Sequence, residues 1–445
     1  MKCNINKESL IVILFSVLFL SVTKCLPAHE NIFHKKALHI IDLQLSGDFD
    51  QIIAMATEDF KEKVTADQIE EIWEGLQSQL GKYIGPGDYT YTESDGVHSI
   101  TQILRFEHDV FAIKVFYNEE AEITGYFFQP APPEEMAPPP DYADETLFEE
   151  IEMHIPTADV NLQAKLTIPK EGDNFPVVIL VHGSGPNDMD ETIGPNKVFR
   201  DLAWGLSSKG IAVLRYNKRT LNHASTINLN CFTMKEKAEE DVHFAVKLAK
   251  TIDKIDQDRI IVLGHSLGGL AAPRIAKNND DIDGIIIMAA NSRKLYDIIE
   301  HQYDYLFSLQ KTTEEMQEHL KFAKQKLQKI REGDFDETTP ASELMIWNAC
   351  FWQDIKEYDQ IETAAQISQP IYILQGERDY QIPMREFYGW RSGLGRKQNA
   401  SFKWYPGLNH LFIYGTGKST PDEYSLIGNV SEEVVNDIAE WVLSL

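Results

Sequence analysis

The residues of this chain that are best suited to chemistry lie in the sequence GHSLG at positions 264–268. A short apolar, β-branched run at 260–263 leads into it, and a segment compatible with a helix follows at once. A serine between two glycines at a strand–turn–helix junction is typical of a nucleophile elbow. The turn is so tight that side chains at the two glycine positions would collide with neighbouring backbone. The helix N-terminus beneath it also favours negative charge. We therefore predict that Ser266 is a nucleophile.

A serine hydroxyl is a poor nucleophile near neutral pH and needs an adjacent base, which a third group must orient. In this arrangement the acid and then the histidine follow the serine, each on a loop after a strand. Asp379 follows the strand pattern at 371–374, and His410 follows the strand pattern at 401–405. We predict that His410 removes the proton of Ser266 and that Asp379 orients the imidazole and stabilises its charged form.

Two neighbouring side chains compete for these roles. Glu377 is an alternative acid, but it lies two residues before Asp379 and would point away from the position that Asp379 takes. His265 adjoins the serine, but adjacent side chains on a tight turn diverge, so we interpret it as a packed neighbour. The chain has 13 histidines, so a histidine near a loop means little alone. The order along the chain and the strand context together favour His410.

The negative charge that develops on the substrate oxygen needs hydrogen-bond donors. One donor is expected to be the backbone N–H of Leu267, the residue after the serine. The second is expected from the sequence HGSGP at 182–186, which follows the apolar strand pattern at 177–181. We predict that the N–H of Ser184 is this donor, with the N–H of Gly183 as the second choice.

Three segments together resemble the secreted α/β-hydrolase esterases of bacteria, which are relatives of dienelactone hydrolases, serine aminopeptidases and acyl-CoA thioesterases. The segments are residues 182–197, 211–219 and 264–269. The resemblance covers about residues 150–445 and implies a carboxylester hydrolase that needs no metal and no cofactor. It also implies that the serine, aspartate and histidine named above form the catalytic triad. Asn217 departs from the pattern, because many relatives have Asp there, and this bears on substrate details rather than on catalysis.

A Pro-rich acidic stretch at 130–142 divides the chain, since prolines at this density prevent helix and sheet pairing alike. Before it, residues 35–129 show helical periodicity and then, after the sequence GPG at 85–87, the period-two pattern of an antiparallel sheet. They predict a small α+β domain, which is similar to an uncharacterised domain of nuclear-transport-factor-like shape. After the stretch, residues 146–445 alternate strand and helix patterns, and the helix patterns include 198–207, 234–250 and 267–277. This alternation predicts an α/β class, with a mostly parallel sheet between two layers of helices, and the resemblance implies that the fold is the α/β-hydrolase fold.

Two parts of the predicted hydrolase domain differ from this alternation. Its first two strand patterns, at 147–155 and 162–168, alternate apolar and polar residues and predict an antiparallel edge. Residues from about 292 to 366 are helical, charged and aromatic, and we expect them to form a lid over the site. The aromatic residues of this stretch are Tyr303, Tyr305, Phe307, Trp347, Phe351 and Trp352.

Residues 1–28 have the features of a secretory signal. Two lysines precede an apolar run from Leu10 to Val22, which is shorter than a membrane span. Cys25 would allow lipid attachment, but Lys24 stands where such sites need a small residue. We predict a secreted or periplasmic protein without membrane insertion once the signal is removed.

The charge and the remaining cysteines limit the partners and the compartment. The formal net charge of −27 argues against nucleic acid and against an anionic membrane surface as partners. Removal of the signal leaves Cys231 and Cys350, which allow either one disulfide or two separate buried thiols. Nothing in the sequence indicates the oligomeric state.

The leading hypothesis is a serine carboxylester hydrolase that acts on a small-molecule ester through an acyl-serine intermediate. A serine peptidase that acts from peptide N-termini would need a carboxylate pair for the substrate amine. The pair Glu314-Glu315 is adjacent and helical, so its members do not face one site. Thioester hydrolysis would use the same residues and stays open. A binding protein on a retired hydrolase fold would have lost a triad member, and all three are present.

Overall fold

The computed structural model describes residues 32–61, 64–94, 96–133, 135–223, 227–228, 231–309 and 313–445. The predicted signal sequence and Cys25 lie outside these residues. The chain divides into two compact units, residues 1–134 and 135–445. Within the described parts, no helix has both the length and the apolar character needed to cross a membrane.

The described residues of the first unit form four helices followed by an antiparallel sheet whose strands pair in chain order. Its elements are the helices Ile32–Ser46 (α1), Phe49–Ala54 (α2), Glu58–Lys61 (α3) and Ala66–Leu80 (α4) and the strands Tyr83–Ser94 (β1), Val97–Phe106 (β2), Val110–Tyr117 (β3) and Ile123–Pro130 (β4). Thr65 and Gln68 form a capping box at the start of α4, each side chain accepting the other's backbone N–H. The buried face of α4 includes Ile69, Trp73 and Leu76.

Strand β1 runs through the sequence GPG, where the pattern predicts a boundary between helix and sheet. The pairing of β1 with β2 shifts between Tyr83 and Gly85 and again between Pro86 and Tyr89. The strand thus takes up the glycines and the proline as irregularities of the ladder. The hydrophobic pattern does not predict that the strand continues through this sequence, because the period of two is lost at the irregularities.

The second unit is built on an eight-stranded sheet of order β14-β13-β12-β11-β7-β10-β6-β5. The strands are Phe148–Pro156 (β5), Asn161–Pro169 (β6), Phe175–Val181 (β7), Ala212–Tyr216 (β10), Ile255–His265 (β11), Gly284–Met288 (β12), Ile371–Gly376 (β13) and Ala400–Tyr405 (β14), and a separate small hairpin comprises Thr192–Ile193 (β8) and Asn196–Lys197 (β9). Strands β5 and β6 pair antiparallel and form the predicted edge, while β7 and β10–β14 pair in parallel. The predicted α/β class is therefore confirmed.

Alternate residues of the central strands enter two different hydrophobic cores. Val177 and Ile179 of β7 belong to one core, whereas Val178 and Leu180 belong to the other. Because successive strand side chains point to opposite faces, both faces of the sheet are covered. The helices of this unit are Val198–Ser207 (α5), Arg219–Asn222 (α6), Glu240–Ala249 (α7), Leu267–Lys277 (α8), Leu295–Ser308 (α9), Glu314–Glu332 (α10), Ala349–Glu357 (α11), Gln360–Gln366 (α12), Met384–Leu394 (α13) and Glu432–Ser444 (α14).

Helices α9–α12 form an insertion between strands β12 and β13. A disulfide joins Cys350 in α11 to Cys231, which precedes α7 in the chain. Of the two possibilities that the sequence leaves open, the structure has the disulfide. It ties the insertion to a segment on the other side of the nucleophile elbow in sequence.

Candidate active site

The elbow serine lies between the end of β11 and the start of α8. Ser266 has φ 52° and ψ −115°, a left-handed backbone conformation that costs energy for a residue with a side chain. Its N–H donates to the Met288 carbonyl at 2.9 Å, and its carbonyl accepts the N–H of Leu270 at 3.0 Å. The end of the adjacent strand and the first turn of α8 therefore hold the strained residue in place.

The two elbow glycines are required by their surroundings. A Cβ atom on Gly264 would lie 2.2 Å from the carbonyl oxygen of Gly268. A Cβ atom on Gly268 would lie 2.1 Å from the carbonyl oxygen of Val181. Both distances are too short for any side chain, as the sequence predicts for a tight strand–turn–helix junction.

Asp379 and His410 meet at the carboxyl ends of β13 and β14. Nδ1 of His410 lies 2.7 Å from Oδ2 of Asp379, and both side chains are buried. The other carboxylate oxygen of Asp379 accepts the backbone N–H groups of Gln381 and Ile382 at 2.8 and 2.9 Å. Glu377 is exposed. The structure thus brings Asp379, and not Glu377, to the histidine.

Asp379 has the contacts of a group that orients a base. Gln375 donates to the same oxygen, Oδ2, that faces His410, at 3.0 Å. With Nδ1 of His410 donating to this carboxylate, Nε2 is the ring nitrogen left to accept a proton. This is the tautomer that a serine base requires.

A buried ion pair lies directly behind the histidine. Nε2 of His265 donates to the carbonyl of His410 at 2.9 Å, and Nδ1 of His265 lies 2.9 Å from Oε2 of Glu191. Burial lowers the pKa of His265, but the Glu191 carboxylate, the His410 carbonyl and the Asp379 carboxylate together more than offset this, so the pKa is raised. Burial likewise raises the pKa of Glu191, and the contacts with His265, His182 and the Gly183 N–H together outweigh burial, so that this pKa is lowered. Both shifts favour the charged form of the group concerned.

Sequence reasoning misses Glu191. It is 1% exposed, it has a left-handed φ of 46°, and its Oε1 accepts the N–H of Gly183 at 2.6 Å. The surrounding sequence holds Asp188 and Asp190 as well, and no local pattern singles out one of the three acidic residues. Its tertiary contacts with His265 and Gly183 distinguish it.

The predicted oxyanion donors divide into free and occupied N–H groups. Within the described residues, the N–H groups of Leu267 and Ser184 meet no acceptor. The N–H of Gly183 is occupied by Glu191, so Gly183 does not serve as the second choice. Gly183 nevertheless lies against the nucleophile, because a Cβ atom on it would be 3.1 Å from Cβ of Ser266.

Side chains from the loop after β10 support the glycine-rich loop. Nζ of Lys218 donates to the Gly183 carbonyl at 2.6 Å. Oδ1 of Asn217 accepts the N–H of Met189 at 2.8 Å. An amide oxygen here accepts the same bond that a carboxylate oxygen of Asp would accept, so the departure from the family pattern keeps this contact.

The insertion contacts the loops that carry the acid and the histidine. The ring of Tyr305 in α9 stacks on that of Tyr380, next to Asp379, with centroids 5.1 Å apart. Its hydroxyl donates to the Ser419 carbonyl at 2.7 Å, beyond His410 in the chain. Phe351 and Trp352, by contrast, are fully buried in the core and are not available as contacts for a substrate.

Comparisons with known proteins agree with this fold. Residues 174–415 match the family described as serine aminopeptidase, S33, and the chain belongs to this family of α/β-hydrolases. Over 412 residues it is 34% identical to the esterase EstD of Thermotoga maritima, covering 92% of this chain and 95% of that protein. Residues 37–126 match a family described as a protein of unknown function, DUF3887. The predicted fold and the predicted serine hydrolase class are confirmed, and the nearly full-length match to an esterase supports carboxylester hydrolysis.

Solved esterase structures show more distant similarity. Est1E from Butyrivibrio proteoclasticus with bound ferulic acid is 17% identical, with a TM-score of 0.45, over 66% of this chain and 100% of that chain. A hyperthermophilic esterase from Pyrobaculum calidifontis is 15% identical, with a TM-score of 0.39, over 66% of this chain and 85% of that chain.

Proposed function

We propose that this α/β-hydrolase is a carboxylesterase that cleaves small uncharged acyl esters, with Ser266 as nucleophile, His410 as base and Asp379 as the orienting acid. The observation that carries the proposal is the 2.7 Å contact between His410 and Asp379, which lie on the loops after β14 and β13, beside the strained elbow conformation of Ser266. The N–H groups of Leu267 and Ser184, which meet no acceptor among the described residues, are the donors that we propose for the reaction.

In the first half of the reaction, Nε2 of His410 takes the proton of Ser266 while the serine oxygen attacks the ester carbonyl carbon. The carbonyl π electrons move to the oxygen, and the resulting oxyanion accepts hydrogen bonds from the N–H groups of Leu267 and Ser184. Asp379 stabilises the imidazolium that forms. The intermediate then expels the alkoxide group, which takes the proton from His410 and leaves as an alcohol.

In the second half, a water molecule attacks the acyl-serine carbonyl and gives its proton to His410. The same two N–H groups bind the second oxyanion. When this intermediate collapses, the bond to Ser266 breaks, the serine oxygen recovers the proton from His410, and the carboxylic acid is released. Proton transfer by a placed base contributes about 10²–10⁴ in rate.

An ester substrate fits better than a peptide amine. Peptide N-terminus recognition would need converging carboxylates, and Glu314 is exposed in the first turn of α10. The formal net charge of −27 disfavours anionic substrates by long-range repulsion. Thioesters would react through the same groups, so they belong among the substrates to be tested.

We further propose that the protein acts outside the cytoplasm. The disulfide between Cys231 and Cys350 supports this location, since disulfides persist in oxidising compartments. The signal-like sequence at 1–28 supports it independently. Fractionation of cells that express the full chain, with N-terminal sequencing of the mature protein, tests the proposal. An uncleaved protein in the cytoplasmic fraction would contradict it.

The activity is tested with p-nitrophenyl esters of several acyl lengths, beside aryl thioesters and amino-acid arylamides. Ser266→Ala is expected to lower the kcat for esters by about 10⁴-fold or more, because the nucleophile is lost. Ser444→Ala, an exposed serine in α14, is the matched control and should keep full activity. Equal ester turnover in wild type and Ser266→Ala would rule out the mechanism. Arylamide turnover well above ester turnover would instead identify a peptidase.

A further inference from the structure

The carbonyl groups of the glycine-rich loop are held by two buried side chains. Nζ of Lys218 donates to the Gly183 carbonyl at 2.6 Å, and Nδ2 of Asn187 donates to the Ser184 carbonyl at 3.1 Å. Asn187 also reaches the Gly183 carbonyl, at 3.3 Å. Lys218 and Asn187 are each 3% exposed. Water therefore has little access to replace either contact.

The contact of Lys218 fixes the direction of the next N–H group. In a trans peptide the C=O and the following N–H point to opposite sides of the same plane, and no cis peptide occurs in the described residues. When Lys218 holds the Gly183 carbonyl, the Ser184 N–H must point away from Lys218. This N–H meets no acceptor within the described part of the chain, and the loop lies against Ser266.

The backbone ties the two loops together as well. The N–H of Lys218 donates to the carbonyl of Asn187 at 3.0 Å. The two residues that bind the loop carbonyls are thus joined by a hydrogen bond between their main chains. A cationic donor on the Gly183 carbonyl also polarises the peptide and strengthens its N–H as a donor.

The cost of burying Lys218 indicates a role beyond packing. Within the described residues, the only hydrogen-bond acceptor of its ammonium group is the Gly183 carbonyl. Burial of an ammonium group without a paired carboxylate is unfavourable. Burial lowers the pKa of Lys218 to about 8, although Glu191 and Asp241 raise it in part. An apolar side chain of similar length would avoid this cost but, among the described residues, would leave the Gly183 carbonyl with only the longer contact from Asn187, at 3.3 Å.

We infer that Lys218, together with Asn187, is a positioning residue that presents the Ser184 N–H to the oxyanion of the ester reaction. The inference rests on the proposed function, since it takes Ser266 as the nucleophile. It assigns a role to a side chain from the loop after β10. The expected signature is a loss of transition-state binding without a loss of substrate binding.

The test compares Lys218→Met, Asn187→Ala and a control, Lys237→Met, in p-nitrophenyl ester hydrolysis. Lys237 is also buried, but its ammonium packs over the rings of Trp347 and Phe351 and makes no hydrogen bond to the glycine-rich loop within the described residues. Titration of the active serine with a fluorophosphonate gives the folded, competent fraction of each variant. Affinity for a trifluoromethyl ketone, which forms an oxyanion adduct with the serine, reports on transition-state binding.

For Lys218→Met we expect kcat per active site to fall about 10- to 100-fold, less than the loss of a whole oxyanion donor. KM should stay within about twofold, trifluoromethyl ketone affinity should fall by the same factor as kcat/KM, and Asn187→Ala should show a smaller loss of the same kind. Lys237→Met should keep its kcat.

Several results would overturn the inference. They are an unchanged kcat per active site in Lys218→Met, a loss explained wholly by the inactive fraction, or an equal loss in Lys237→Met. If Lys218→Met does not fold, Asn187→Ala decides, and an unchanged kcat there overturns the inference. Failure of the proposed function has a different signature, because Ser266→Ala would then keep its ester turnover.

Discussion

Behind the candidate triad, the buried pair of Glu191 and His265 links the glycine-rich loop to the histidine loop. Glu191 accepts the Gly183 N–H, and His265 donates to the His410 carbonyl. Loss of one charge from a buried pair leaves the other uncompensated, which typically costs about 3–5 kcal/mol. The pair therefore links the stability of the site to the position of the glycine-rich loop, which carries the proposed donor Ser184.

We predict that Glu191→Gln lowers the free energy of unfolding by about 3–5 kcal/mol, although the new amide oxygen can still accept the Gly183 N–H. Urea denaturation followed by tryptophan fluorescence measures the change. Glu377→Gln is the control, because Glu377 is exposed, and it should leave stability within about 0.5 kcal/mol of wild type. A Glu191→Gln protein as stable as wild type would contradict the charged pair.

The effect of Glu191→Gln should depend on pH. The lowered pKa of Glu191 makes its contribution complete above the ordinary glutamate pKa of about 4.3 and lost as pH falls through the folded value. The raised pKa of His265 makes its contribution complete below the ordinary histidine pKa of about 6.5 and lost as pH rises through the folded value. The stability difference from wild type should thus be largest between about pH 4.3 and 6.5. A difference that is flat from pH 4 to 9 would contradict this.

The sequence predicts those site residues whose order along the chain and whose position after a strand are set by the fold. Asp379 and His410 each follow a recognisable strand, and the structure brings them into contact. Glu191 and Lys218 act on Gly183 from separate loops, and loops have no periodicity from which a contact could be predicted. For the same reason the sequence could not show that the Gly183 N–H is already occupied.

At the scale of secondary structure, the junction of β11 and α8 depends on the close approach of α8 to the end of β7. The Cα of Gly268 faces the carbonyl oxygens of Val181 and His182, where a Cβ atom would lie 2.1 and 2.8 Å away. Both contacts are with backbone, which cannot turn aside as a flexible side chain can. A methyl group at this position must displace the strand end that leads into the glycine-rich loop.

We predict that Gly268→Ala lowers kcat/KM for esters by at least about 100-fold, as expected when an oxyanion donor is lost, and destabilises the protein by about 1–3 kcal/mol through overpacking. Ester kinetics and thermal unfolding measure the two effects. Gly85→Ala is the control, because a Cβ atom there meets nothing within 4 Å. A Gly268→Ala enzyme with wild-type turnover would show that the junction tolerates a side chain.

The hydrophobic pattern of the sequence predicts the regular helices, but it does not predict the irregular ones. The predicted helices 198–207 and 267–277 coincide with α5 and α8, because their apolar periodicity has clear ends. The segment predicted as one helix from 234 to 250 instead begins with a π-helical turn, Lys235–Glu239, before α7. A π turn changes the hydrogen-bond register without changing which residue types are apolar, so the pattern does not reveal it.

At the scale of the whole molecule, the disulfide closes a long stretch of the second unit. Cys231 and Cys350 are 119 residues apart and enclose the elbow and most of the insertion. Closing a loop of this length removes conformational entropy from the unfolded chain, worth about 4–5 kcal/mol in the chain-entropy model.

We expect the double variant Cys231→Ser, Cys350→Ser to have a free energy of unfolding lower by about 2–5 kcal/mol, measured by urea denaturation. Wild type in reducing agent should match it, and an oxidised wild type no more stable than the variant would contradict the bridge.

The end of the Pro-rich segment belongs to the second unit. A truncated protein must therefore begin before this segment end if the second unit is to keep all its contacts. Arg200 donates to the carbonyls of Ala137 and Pro138, each at 2.9 Å, and the Ala137 N–H donates to Pro195. The first unit has a hydrophobic core of its own, made of residues between 37 and 128. A cut at the boundary of the units therefore separates two cores, whereas a cut at residue 140 removes partners of a buried arginine.

We predict that residues 135–445 keep ester kcat/KM within about threefold of the chain 29–445, because every group proposed for the reaction lies in the second unit. The shorter piece 141–445 should retain ester turnover but be less stable by about 2 kcal/mol or more, since hydrogen bonds to a charged group are worth about 1.5–3 kcal/mol each. Ester kinetics and urea denaturation of the three proteins decide the matter. A folded 135–445 without ester turnover would mean that the first unit contributes to the site, and equal stability of the two pieces would mean that the Arg200 contacts hold nothing in place.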